Sequence, residues 1–223
     1  MSILSNLDLI RRVPLFQALA PAQAEAVAQA VSKQRYKRGD VLVEQGKKSD
    51  HLGILLTGRA RVLSTDERGR EVILATMGPG EHFGEMSLID NQAHSATVRA
   101  DVQTDVLLLG RAEFARCLSE NNTLAYMVMK GLVQRLRQAN RAIESLALLD
   151  VYGRVVRVLK ESGREESPGH WILEGKVSRQ DVAKMIGASR EMVSRVLKDL
   201  EERGFVQSLP DGRTAVRDQI SFT

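Results

Sequence analysis

Three charged residues near the C-terminus, Arg190, Glu191 and Arg195, lie within six positions of one another in a stretch with helical patterning. On one helical face these types address base edges in a DNA major groove. Arginine pairs with O6 and N7 of guanine, and glutamate accepts from N4 of cytosine, so the trio suits a half-site containing G·C pairs. Arg179, Gln180, Ser189, Lys198 and Arg213 are of the types and in the places for phosphate contacts, which fix register but carry no sequence information.

The elements that must position these side chains are two short helices broken by Gly187. Ser178, with Asp181 three places on, starts the first, and Val182, Met185 and Ile186 face inward. Ser189 caps the second, Val193, Val196, Leu197 and Leu200 make its buried stripe, and Gly204 stops it. Arg190, Glu191, Ser194 and Arg195 stand opposite that stripe at the N-terminal end, from which a groove-inserted helix contacts bases. Phe205–Val216 follows as two short strands around Pro210-Asp211-Gly212, a wing with Arg213 at its tip. His170–Glu174 reads as a further strand of the same small sheet.

Upstream the texture changes. Short apolar runs separated by glycines, such as His51–Leu56, Ala60–Ser64, Glu71–Thr76 and Asp105–Leu109, predict an all-β roll behind two amphipathic N-terminal stretches. A long helix is expected from about Asn122 to Leu149. Its Met129, Leu132, Leu136, Ala139, Ile143 and Leu146 follow the 3-4 spacing of a coiled-coil seam. The fold class is therefore α+β, with an N-terminal β-roll over 1–118, a dimerisation helix and hinge over 119–150, and a winged helix-turn-helix over 151–223.

Composition sets bounds. The 223 residues carry a net charge of +4, and 151–223 hold 13 Lys and Arg against 11 Asp and Glu. DNA binding must then come from charge patterned on a face, not from a basic tail. The single cysteine, Cys117, excludes an internal disulfide and reads as a core thiol. No run reaches the length of a membrane span and no signal peptide is visible, so a cytoplasmic protein with no membrane partner is expected. There is no Gly-x-Ser-x-Gly, His-Glu-x-x-His or Walker A pattern, and an enzyme is not expected. Haem held by His51, His82, His94 or His170 is the least favoured ligand, because a lone histidine on a strand or turn is more often a hydrogen-bonded structural residue.

Roll, long helix and winged helix in this order resemble the cyclic AMP receptor protein / FNR superfamily of bacterial transcription regulators. The likeness rests on Ser189-Arg190-Glu191-x-Val193-x-Arg195, on Leu146–Arg154 at the hinge, and on Phe83–Leu88 running to Ser95–Ala100. The Arg-Glu-x-x-x-Arg face is similar to the receptor-protein branch. The resemblance implies a homodimer on a TGTGA-like two-fold site. It also implies recruitment of RNA polymerase, with Gly163–Gly169 in the place of the polymerase-contacting loop.

It further implies a phosphate-binding cassette over Phe83–Ala100. Gly84 and Glu85 match its turn and ribose carboxylate, Ser95 matches its phosphate-contacting hydroxyl, and Met86 and Ser87 continue the segment. His94 stands where the family has an arginine, and an imidazole is a poor substitute for a bidentate guanidinium. Ala139 and Asn140 align with the threonine and serine that meet adenine. Four effector readings stay open: cyclic di-GMP or another nucleotide, cyclic AMP at reduced affinity, no effector at all, and haem.

Overall fold

The computed structural model describes residues 5–17 and 19–217. They form two compact units, one through Leu136 and one from Arg137 onward, so the division falls inside the long helix.

The first unit opens with α1 (Asn6–Arg12) and α2 (Pro21–Ala30), joined by a short 3-10 turn. The hydroxyl of Ser5 accepts from the Asp8 N–H, and the Asp8 carboxylate accepts in return from the Ser5 N–H, which starts α1. Eight strands follow: β1 (Ser32–Tyr36), β2 (Val41–Val43), β3 (His51–Thr57), β4 (Ala60–Thr65), β5 (Glu71–Met77), β6 (His82–Phe83), β7 (Thr97–Ala100) and β8 (Thr104–Gly110). They make two antiparallel sheets with orders β1-β8-β3-β6 and β2-β7-β4-β5. Between β6 and β7 lies the short α3 (Glu85–Asp90); α4 (Arg111–Glu120) and α5 (Asn122–Leu148) complete the set.

The expected apolar runs His51–Leu56 and Asp105–Leu109 become β3 and β8, and their continuity has a physical reason. Leu55 and Val106 point into the core between the sheets with Ala60, Met77, Phe83 and Val98. Leu52, Ile54, Leu107 and Leu109 point the other way, into a core shared with α1, α2, α4 and α5. Strands buried on both faces read as unbroken apolar sequence. Cys117 lies buried in that second core, which pushes its thiol up from the ordinary range.

Polar β1 has no such pattern. It is an edge strand, held by Lys33 and Arg35, which reach Asp105 on β8 at 2.8 and 2.6 Å. Donation from Arg35 holds the Asp105 carboxyl down to about 2.

The second unit contains the end of α5, then α6 (Val151–Ser162), β9 (Arg164–Ser167), β10 (His170–Leu173), α7 (Arg179–Ile186), α8 (Arg190–Glu202), β11 (Val206–Ser208) and β12 (Thr214–Arg217). The small sheet has order β11-β12-β10-β9, so the His170 strand does join the wing. The segment expected as a polymerase-contacting loop is largely β9 of a β9–β10 hairpin. At the hinge, Asp150 caps α6 by accepting from the Gly153 N–H at 2.8 Å. Gly153 thus lies inside the first turn, and the break in helix is confined to Leu149 and Asp150.

Gly53 faces Phe83 across the β3–β6 pair, and a Cβ there would lie 2.1 Å from the Phe83 ring. Gly53→Ala is therefore expected to lower stability by about 1–3 kcal/mol, the usual cost of overpacking. Urea denaturation, compared with Gly39→Ala (positive φ but no clash), separates overlap from backbone strain.

Candidate functional site

The helix-turn-helix is built locally from caps. Ser178 accepts from the Asp181 N–H and Ser189 from the Met192 N–H, each at 3.2 Å. Gly187 takes φ +63 between the helices, the left-handed conformation the tight turn requires. Arg154 of α6 donates to the Ile186 carbonyl at 3.0 Å and so holds the turn from behind. After α8, the Gly204 N–H bonds the Glu201 carbonyl and the Phe205 N–H the Leu200 carbonyl. This paired closure ends the helix at a glycine and launches β11.

Val193, Leu197 and Leu200 are buried and Val196 is half-buried, as the spacing predicts. Arg190, Glu191 and Arg195 are exposed on the other side, while Ser194 is half-buried. The Glu191 carboxyl lies below its ordinary range because its own N–H and the Ser189 hydroxyl donate to it. It is therefore an anionic acceptor.

Arg179, Gln180, Ser189 and Lys198 are exposed, Lys198 with Glu202 at 3.6 Å. Arg213 is half-buried at the end of the wing turn. Its guanidinium meets Asp211 at 2.8 Å and Glu166 at 3.7 Å, so it reaches a phosphate only by leaving those partners.

In the first unit the structure gathers Gly84, Glu85 and His94, and adds two residues the sequence did not assign to the site. Gly84 has φ +88, and a Cβ there would meet the His51 carbonyl oxygen at 2.8 Å. Glu85 has no exposed surface; Arg135 of α5 donates both to its carboxylate and to the His82 carbonyl. Burial pushes the Glu85 carboxyl up, and the Arg135 guanidinium opposes that push. One carboxylate oxygen, Oε2, has no partner among the described residues.

His82 packs on Gly131 of α5, and its Nε2 is likewise buried without a partner. His94 is buried with Nε2 2.8 Å from the Ser49 hydroxyl, and burial lowers its pKa. Ser87 is buried and donates to the Gln92 carbonyl at 2.6 Å, while Met86 and Ser95 are exposed. Asn140 is exposed on the part of α5 that belongs to the second unit.

One sign of Arg135 is readable from spacing: it continues the inward row Leu124, Val128, Leu132 along the helix. On that inward face Leu132 packs into the first core. It therefore does not share the exposed stripe expected of the seam; adjacent Val133 is exposed instead. Met129, Leu136, Ile143 and Leu146 are 55–64% exposed, and Ala139 is exposed as well.

A roll with a buried carboxylate, a long helix with an uncovered apolar stripe, and a winged helix-turn-helix with a charged outer face define the class of DNA-binding regulators. The sequence matches the cyclic nucleotide-binding domain family over residues 33–121 and the crp family of bacterial regulatory proteins over 176–206. It is 33% identical over 180 residues to Vfr, a cyclic AMP-activated global transcriptional regulator of Pseudomonas aeruginosa, covering 78% of this chain and 84% of that protein. It is 32% identical over 205 residues to the cyclic AMP receptor protein of Thermus thermophilus, covering 92% and 93%. Among solved structures, the cyclic di-GMP-responsive global regulator CLP of Xanthomonas campestris superposes with a TM-score of 0.74 at 26% identity, covering 89% and 99%. The chain belongs to the CRP/FNR family of bacterial transcription regulators. No helix among the described residues is long and apolar enough to cross a membrane.

Burial and the nearby Arg135 charge lower the His82 pKa from 6.5 to about 4. The unfolded chain then takes up this proton first as pH falls. The stability tied to a neutral His82 is complete above about pH 6.5 and is lost toward pH 4, by up to roughly 3 kcal/mol. His82→Phe should flatten the pH dependence of unfolding over this interval, read by urea denaturation at about pH 7.5 and about pH 5. Parallel profiles for wild type and variant would remove His82 from the account.

Proposed function

We propose that the chain is a cytoplasmic, homodimeric transcription activator that reads a TGTGA-like two-fold site under the control of a small-molecule effector. The observation that carries this reading is the exposed Arg190, Glu191 and Arg195 at the N-terminal half of α8, set against buried Val193, Leu197 and Leu200. The exposed stripe Met129, Leu136, Ala139, Ile143 and Leu146, with Val133 in the place of Leu132, supports pairing with a second copy. Two such copies present recognition helices to half-sites about one helical turn apart. The functional division is the β-roll over 1–118, the pairing helix and hinge over 119–150, and the DNA-binding domain over 151–223. The β9–β10 hairpin, with exposed Glu165 and Glu166, is the proposed contact for RNA polymerase.

For the effector, the unpartnered Oε2 of Glu85 suits a hydroxyl donor such as a ribose, with Gly84, Met86, Ser87, His94 and Ser95 as the further candidate contacts. The side-chain cation near Glu85 is Arg135, already engaged, and His94 is turned to Ser49. A phosphate at Ser95 therefore lacks the guanidinium that cyclic AMP recognition implies. This weakens the case for cyclic AMP, and the similarity to CLP, named for its response to cyclic di-GMP, makes that nucleotide the first alternative. A second reading follows from the same pair: Arg135 already compensates Glu85, so the protein can work with no effector. Calorimetric titration with cyclic AMP, cyclic GMP and cyclic di-GMP, read beside DNA affinity, separates these. Tight cyclic AMP binding would overturn the reading of the cassette.

On the DNA side, Arg190→Ala or Glu191→Ala should cost ~1–3 kcal/mol on the cognate site and relax specificity at one base pair. Lys198→Ala should weaken binding evenly across sequences and flatten its salt dependence. Gel shifts on half-site variants test both. Equal loss on every sequence for Arg190→Ala would make it a backbone contact.

A further inference from the structure

Among the described residues of 151–217, one large apolar side chain is exposed, that of Met192, at 43%. It stands in the first turn of α8, directly after Glu191 and three positions before Arg195. Residues three and four apart on a helix are neighbours, so Met192 and Glu191 both flank Arg195. The unit has a place for apolar side chains and does not use it here. Val193, Leu197 and Leu200 fill the core, and even Met185 and Val196 pack against it. Met192 does not belong to that cluster. Its N–H is fixed by the Ser189 cap at 3.2 Å, so the thioether projects from a well-defined turn.

The surrounding surface of α8 is charged, with Arg190, Glu191, Arg195, Lys198 and Glu202 all exposed. An apolar side chain among them lies outside the buried cluster of this unit. In a major groove it has one apolar counterpart on the base edges, the 5-methyl group of thymine. Methionine, unbranched and polarisable, adapts well to such a small apolar target.

We propose that Met192 is a specificity-determining residue that reads a thymine by packing its side chain on the 5-methyl group, beside the base pair addressed by Glu191 and Arg195. This rests on the DNA-reading role of α8 given above. It adds apolar discrimination to a face otherwise made of hydrogen-bonding groups.

The test replaces thymine by deoxyuridine, which removes only the methyl. Fluorescence anisotropy is measured on duplexes with two inverted TGTGA-type half-sites, each thymine substituted in turn, with cyclic AMP or cyclic di-GMP added in parallel series. Wild type should lose about fourfold in affinity at one thymine per half-site, the worth of one buried methyl. Met192→Ala changes both protomers, so it should bind the unsubstituted duplex about sixteenfold more weakly, fourfold per half-site, and be indifferent to deoxyuridine at that position, while Met192→Leu keeps the sensitivity. Coincident deoxyuridine profiles for wild type and Met192→Ala, or an equal loss on scrambled DNA, would overturn the assignment. Wild type without preference for the site over scrambled duplex would instead overturn the DNA reading itself. Because Met192 is exposed, thermal unfolding of the Ala variant should match wild type, which excludes misfolding as the cause.

Discussion

A carboxylate with no exposed surface is costly unless a cation and hydrogen bonds compensate it. Glu85 is such a group, and α5 supplies the compensation through Arg135. That one requirement sets the inner face of the helix. Leu124, Val128 and Leu132 pack on the roll, Gly131 leaves room for His82, and Arg135 closes the row against Glu85 and the His82 carbonyl. With the inner face so committed, Met129, Val133 and Leu136 are left uncovered on the outside. The proposed effector contact and the proposed pairing surface thus occupy opposite faces of one helix. A ligand that takes over Glu85 would release Arg135 and disturb the contact that seats this helix on its roll. That is the differential interaction a ligand must have with two states to shift their populations.

The DNA-binding unit carries little net charge. Its balance of positive and negative residues is nearly even, yet Arg190, Glu191 and Arg195 are sorted to one side of α8 and apolar residues to the other. Position is set by backbone devices: the Ser178 and Ser189 caps, the left-handed Gly187 and the closure at Gly204. Arg154 reinforces the turn from α6.

Much of this was legible in the sequence. The helix-turn-helix was readable because capping serines, turn glycines and apolar spacing all act locally, within one or two helical turns. The doubly buried β3 and β8 were readable as apolar runs. The polar edge strand β1 was not, since its hold on β8 comes from Lys33 and Arg35 meeting Asp105 some seventy residues away. The short β6 and α3 were hidden because a two-residue strand and a six-residue helix carry no periodicity. On α5, heptad spacing could not choose between neighbours Leu132 and Val133. A tertiary fact, the presence of a core on one side, makes the choice. The role of Arg135 was hidden for the same reason: its partner Glu85 is fifty residues distant.

The capped architecture of α7 and α8 bears on how such a protein changes over evolutionary time. The ends of α8 are secured by Ser189, Gly204 and main-chain bonds, none of which uses the side chains of Arg190, Met192 or Arg195. Mutation can therefore exchange Arg190, Met192 or Arg195 with little penalty to folding. On the proposed reading of α8, new operators then come within reach one residue at a time while the scaffold stays intact.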